Sequence, residues 1–190
     1  MRTFAAIKIP LKDEQYALLE AVKLSMANQS IKWVDWYGLH LTLFFFGESS
    51  PAFVARLNLF LQDLASTMDS FDLSIKGLGF FGQKNKPKVL WLGTEPNEEL
   101  NLIQDKISSF ATKNGFCVSN QGFNPHITLA RIKSVSVFDE FSQVLKSFND
   151  KIRWQVHVDR VILFKSELNP KGARYSPVLW HLLKPHSSSN

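Results

Sequence analysis

The pattern of this 190-residue chain runs twice. "RTFAAIKI" from Arg2 reads as a short apolar strand closed by Pro10, and "KVLWLG" from Lys88 reads as another. From Lys12 to Met26, Tyr16, Leu19, Val22 and Met26 recur at helical spacing. Asn97 can cap a second helix carrying Leu100, Ile103, Ile107 and Phe110 and ending near Gly115. "LHLTLFFF" is a strand ended by Gly47, and "HITLAR" repeats its opening. Ser49 or Ser50, with Pro51 in the first turn, starts a helix with Val54, Leu57, Leu61, Leu64 and Met68 on one face. Ser136 starts its counterpart, with Val137, Phe141, Leu145 and Phe148. The first strands begin at 2 and 88, the first helices near 12 and 97, the His-x-Thr-Leu segments at 40 and 126, and the second helices near 51 and 137. Every offset is 85 or 86. This register implies one bilobal domain over 1–190, built by internal duplication of approximately 2–80 and 88–165, with two α+β lobes related by a pseudo-two-fold. "FDLSIK", "IKWV" and "FCVS" read as further short strands, "WQVHVDRVILF" as one long strand, and "VLWHLL" as a C-terminal strand at about 178–183.

Composition excludes several classes. The hydrophobic fraction is 45% and the charged fraction 21%, which suits a globular core rather than a disordered chain. No apolar run approaches the roughly 20 residues of a membrane span, and the N-terminus lacks the apolar core of a signal peptide. A single cysteine, Cys117, rules out an internal disulfide and fits a reducing, cytoplasmic setting. The net charge of +5 favours anionic partners. Lys84, Lys86 and Lys88 in "QKNKPK" form the densest basic cluster, which taken alone reads as a solvated loop.

Alternation places His40 and Thr42 on one face of their strand, with Leu41 and Leu43 on the other. His126 and Thr128 likewise oppose Ile127 and Leu129. Two lobes packed about a two-fold would bring both imidazoles and both hydroxyls into one cleft, near enough to flank one phosphate. Imidazole titrates near neutrality, so one ring can accept a proton from water while the other gives one to a departing alkoxide. Threonine hydroxyls can donate to the non-bridging oxygens, where transition-state charge gathers. That chemistry needs no metal and no cofactor. Two copies of His-x-Thr-Leu among five histidines would arise by chance in on the order of one chain in a thousand or fewer.

"RTFAAIKIP", "LHLTLFFFGE", "LGFFGQKNKPKVLWLG", "FNPHITLAR" and "DRVILFKSELNPKGARYSPV" together resemble the two-histidine (2H) phosphoesterases, and within them the RNA 2',3'-cyclic phosphodiesterases, also called 2'-5' RNA ligases. The resemblance implies a bilobal α+β fold, with antiparallel sheets flanked by helices around a central cleft. It also implies metal-independent opening of a 2',3'-cyclic phosphate at an RNA end to a 2'-phosphate. His40 would be the proton donor and His126 the proton acceptor, Thr42 and Thr128 would hold the phosphate, and Arg131 would add positive charge. Partners would be RNA ends or cyclic nucleotides, with tRNA halves joined in some members, on a monomer. Two rivals stand beside this reading: ligation, or action on another 2'-phosphorylated nucleotide, and a nucleotide-binding module without catalysis. Phe44 follows the first motif where relatives often carry Lys or Arg.

Strict alternation sends Arg131 and Phe45 to the core face. Reaching the cleft requires a bulge or an end near Ala130. Turned inward, Phe45 could stack on a base; otherwise it packs in the core. "GLGFFG" has dinucleotide-binding spacing, but "QKNKPK" follows it instead of a helix, so it reads as a glycine-rich turn. His157, between Val156 and Val158, reads as exposed, and His181 and His186 have no partner pattern. One cysteine and no His-x-His argue against zinc.

Overall fold

A computed structural model describes residues 1–117, 122–169 and 172–185. His186, and the last two residues of the strand expected at "FCVS", lie outside them; the first two, Phe116 and Cys117, are not in a strand. Along the chain run β1 (Arg2–Lys8), α1 (Asp13–Ser25), β2 (Ser30–Trp33), a 3-10 turn (Trp36–Gly38), β3 (His40–Glu48), α2 (Pro51–Thr67), β4 (Phe71–Gln83), β5 (Lys86–Thr94), α3 (Glu98–Lys113), β6 (His126–Ser134), α4 (Phe138–Asn149), β7 (Arg153–Val158), β8 (Arg160–Asn169) and β9 (Gly172–Leu182).

Local chemistry explains the helix starts. Ser50 accepts a hydrogen bond from the Phe53 amide at 3.2 Å, with Pro51 at the first helical position. Asn97 accepts one from Leu100 at 2.7 Å; each such cap is worth about 1 kcal/mol. In α1, Gln15 folds back to accept from the Lys12 amide, so Gln15 is buried and Tyr16 is exposed, the reverse of what helical spacing suggests. Ser136 does not cap α4. Val137 occupies that position, and the Ser136 amide instead donates to Gln29 Oε1 at 2.8 Å.

The strands form one sheet in the order β7-β4-β5-β6-β3-β1-β8-β9, with β2 also on β6, and every strand pair is antiparallel. The order mirrors itself about the β6–β3 seam. There only Leu41 and Ile127 are paired, and both are fully buried. Residues 153–169 are therefore not one strand. The chain leaves register at Asp159, so that β7 joins β4 in one half of the sheet while β8 joins β1 in the other. The helices interlace in the same way. α2 packs on β8, β9 and α3, α3 packs on β3, and α4 packs on β4 and α1. One apolar core, including Ile7, Leu41, Leu61, Leu90, Ile107, Ile127 and Phe141, lies between the helices and one sheet face. Each large side chain buried there contributes about 1.5–3 kcal/mol.

"GLGFFG" is not a turn. Gly77, Gly79 and Gly82 lie inside β4, and the hairpin turns at Lys84 and Asn85. Gly77, with φ +76°, sits where the β4–β5 register shifts, a conformation costly to any residue with a Cβ. Gly79 serves differently. The indole of Trp91, its cross-strand partner, occupies the space a Cβ would fill. β9 is also longer than the strand expected at 178–183, because it pairs with β8 through "GARYSP".

Candidate active site

Pairing Leu41 with Ile127 in antiparallel register sets His40 opposite Thr128 and Thr42 opposite His126, all four pointing away from the helices. Directly opposed side chains in such a pair lie about 4.5–5.5 Å apart at Cβ and diagonal ones about 7–8 Å, so the two imidazoles lie within reach of one small group. All four side chains are partly buried. Neither threonine hydroxyl is hydrogen-bonded to a described residue.

Both rings are held alike. His40 Nδ1–H donates to the Gly38 carbonyl and His126 Nδ1–H to the Asn124 carbonyl, each at 2.8 Å and each two residues back along the chain. A carbonyl can only accept, so Nδ1 carries the proton, and Nε2 of each ring is left for a ligand.

The surroundings differ. His40 sits among Phe4 (centroids 5.0 Å apart), Tyr175 (5.0 Å, edge-on) and Phe164 (6.0 Å). Burial lowers its affinity for a proton below the ordinary imidazole value. The Gly38 carbonyl opposes that shift, and His126, when charged, adds to it. His126 meets Phe81 edge-on at 4.7 Å.

The strands do bulge beyond the threonines. The β1–β3 register skips Leu43 and the β5–β6 register skips Leu129, equivalent places in the two motifs. Each extra residue reverses the alternation that follows it. Phe45 thereby reaches the histidine face. It stacks at 6.3 Å on Phe4, which touches His40, and the Arg2 guanidinium lies over its ring at 5.3 Å. Arg131 returns to the same face: it pairs with Val89, Val89 pairs with Phe81, and Phe81 contacts His126. The face thus carries an aromatic cluster on the His40 side, with the exposed Lys8 paired to His40, and the exposed Arg131 on the His126 side.

Residues 14–170 match the sequence model of the 2'-5' RNA ligase superfamily. The chain belongs to that superfamily. It is 31% identical over 175 residues to the RNA 2',3'-cyclic phosphodiesterase of Thermotoga maritima, covering 92% of this chain and 91% of the relative. It is 32% identical over 161 residues to the enzyme of the same description from Aeropyrum pernix, covering 83% and 90%. Among solved structures, E. coli LigT complexed with 3'-AMP superposes with a TM-score of 0.74 at 27% identity, covering 96% and 97%. A protein of Thermus thermophilus superposes with a TM-score of 0.77 at 25% identity, covering 98% and 100%. The α+β arrangement of antiparallel strands and flanking helices is that of the two-histidine phosphoesterases.

Within this superfamily chain the other described histidines sit apart from the pair. His157 is exposed, as its neighbours Val156 and Val158 imply, and lies 2.8 Å from Asp72. His181 lies 2.9 Å from Asn58. No described helix is long and apolar enough to cross a membrane. Sequence reasoning missed Phe4, Phe164, Tyr175 and Phe81 as ring neighbours of the motif histidines. β1 is apolar on both faces, so its pattern does not show which residues face the site. Tyr175 lies in the part of β9 that precedes the strand expected at 178–183.

Proposed function

We propose that this protein hydrolyses the 2',3'-cyclic phosphate at RNA ends to a 2'-phosphate, using His40 and His126 as an acid–base pair. The observation that carries the reading is the matched tethering of both Nδ1–H groups to carbonyls. It leaves two Nε2 atoms, one from each motif, on the face that also holds two threonine hydroxyls with no hydrogen bond to a described residue. The relatives' descriptions as RNA 2',3'-cyclic phosphodiesterases support the same reaction.

Water attacks phosphorus as His126 Nε2 takes its proton. The P–O3' bond breaks, and His40 Nε2–H supplies the proton that makes the 3'-hydroxyl. Thr42 and Thr128 donate to the non-bridging oxygens, and Arg131 balances their charge. Phe45 offers a stacking surface. The donor must start protonated. Burial opposes that at His40, and the bound anionic diester restores it, because a negative charge a few ångströms away favours the imidazolium. A proton exchanged with solvent resets the pair. Ligation is the same displacement with an RNA 5'-hydroxyl in place of water: its proton goes to His126 Nε2, the P–O3' bond breaks, His40 protonates O3' and a 2'-5' diester results, and tRNA halves are the substrates that would reveal it.

The mirrored strand order, the matched bulges and the interlaced helices support an internal duplication within one bilobal domain. We place the protein in the cytoplasm as a monomer. The deciding experiment is product analysis of an oligonucleotide ending in a 2',3'-cyclic phosphate, in EDTA. A 2'-phosphate product is expected. No turnover, or turnover that needs added zinc or magnesium, overturns the reading.

A further inference from the structure

Lys32 of β2 pairs directly with Arg131 of β6 on the histidine face. Like charges at directly opposed positions repel, so folding alone gives no reason for this pair. Lys133 lies two positions further along β6 on the same side, beyond the buried Ile132, and is exposed. On β5 the register shift at Lys88, just before Val89, buries Pro87 and returns Lys86 to that face, opposite Gln83. None of these four cations makes an ion pair with a described residue. Cations two positions apart on a strand are spaced about 7 Å, comparable to one nucleotide of an extended RNA strand. The run of adjacent cations belongs to one half of the sheet; in the other half Lys8, paired with His40, and Arg2, over the Phe45 ring, stand six positions apart on β1. At the equivalent positions of the other motif, Phe45 and Gly47 stand in place of Arg131 and Lys133.

We infer that Lys32, Lys86 and Lys133 extend the anion site at Arg131 into a track for the RNA backbone on the 5' side of the terminal cyclic phosphate. The preferred substrate is therefore an oligonucleotide and not a free cyclic nucleotide. This rests on the proposed reaction and adds a direction to it: the strand leaves the site over β6 and β5 on the His126 side, away from the aromatic cluster at His40. A backbone phosphate placed between Lys32 and Arg131 turns their repulsion into joint attraction, and the counterions released make binding dependent on salt.

The test compares wild type with Lys32→Gln/Lys86→Gln/Lys133→Gln, which leaves the proposed catalytic groups and Arg131 intact. Substrates are a nucleoside 2',3'-cyclic phosphate and a six-nucleotide RNA ending in the same group. For the mononucleotide, kcat/KM should be unchanged. For the oligonucleotide it should fall by about 1.5- to 5-fold per cation removed, on the scale of an exposed charge pair, and the salt slope should weaken by about 0.7 per lost phosphate contact, or about 2 in all. The matching Lys→Arg triple variant should retain the wild-type behaviour. Thermal stability of the Gln variant should hold or rise, since a repulsion has been removed.

Binding of a fluorescent RNA bearing a terminal 2'-phosphate, followed by anisotropy on the same proteins, judges the track independently of turnover. Equal losses for both substrates, or an unchanged Kd and salt slope for the RNA, overturn the inference. Salt-dependent RNA binding that the Gln variant loses, without turnover in wild type, would sustain the track while overturning the proposed reaction.

Discussion

Replacing Gly79 with alanine tests the packing behind Thr128. The Gly79 backbone is not left-handed, so alanine meets no backbone penalty there. Its methyl would fall inside the Trp91 ring, against Cη2, Cζ2 and Cζ3, which are not the tip of a flexible chain. The indole also crowds Gly93, packs on Phe81 at 5.3 Å, and belongs to the residue paired with Thr128. It must therefore lift from the sheet and disturb the strand that positions the hydroxyl. Overpacking of this kind costs about 1–3 kcal/mol. At about 2–4 °C per kcal/mol for a chain of this size, Tm should fall by roughly 2–12 °C. A shift of about 1 Å in the hydroxyl proposed to bind the phosphate should lower kcat/KM by up to about 100-fold. Gly47→Ala is the control. Its φ of +67° carries a backbone cost of about 1–2 kcal/mol, while the nearest atom, of Phe45, lies 4.0 Å away, so stability should fall without comparable loss of activity. Differential scanning fluorimetry and steady-state kinetics read both. Trp91→Val should relieve Gly79→Ala, with a coupling of about 0.5–3 kcal/mol in a double-mutant cycle. A Tm within about 1 °C of wild type, with strictly additive effects of the two substitutions, would refute the packing.

Removing either His40 or His126 as alanine should cost about 10²–10⁴ in kcat, and the double variant should lose less than the product of the two losses, read by single-turnover hydrolysis. Thr42→Ala and Thr128→Ala should each cost about 1.5–3 kcal/mol of transition-state stabilisation, one charge-assisted hydrogen bond, or about 10- to 100-fold in kcat/KM. The pH profile should be a bell, falling on the alkaline side as the donor deprotonates. Because burial depresses the His40 pKa in the free enzyme, that limb should lie lower for kcat/KM than for kcat, where the bound anion favours the imidazolium; coincident limbs would count against His40 as donor. The same shift makes a stability prediction. Neutral His40 is favoured in the fold, so its contribution is fully present above the ordinary imidazole pKa and is lost as pH falls through the lowered one. His40→Gln should flatten urea-denaturation stability across that window.

Much of the candidate site's geometry was legible because side-chain alternation within a strand is local. It set His40 with Thr42 and His126 with Thr128, and the same rule showed that Arg131 and Phe45 could reach that face only through a bulge. The bulges are present at Leu43 and Leu129. Helix caps at Ser50 and Asn97 were equally local and equally readable. What tertiary structure alone decided was partnership. Nothing in the periodicity between Val156 and Leu163 marks the break at Asp159, because both flanking segments read as strands. Only their separate burial, Val158 beside Phe71 and Leu163 beside Ala5, sends them to opposite halves of the sheet. Glycine shows where the backbone is free, not how the freedom is used, so "GLGFFG" fits a turn as well as a strand with bulges and a bed for Trp91. The pairing of Lys32 with Arg131 joins residues distant in sequence on a shared face. No period along the chain records it, since it follows from which strand edge remains for β2 once β5 and β3 have taken their places on β6.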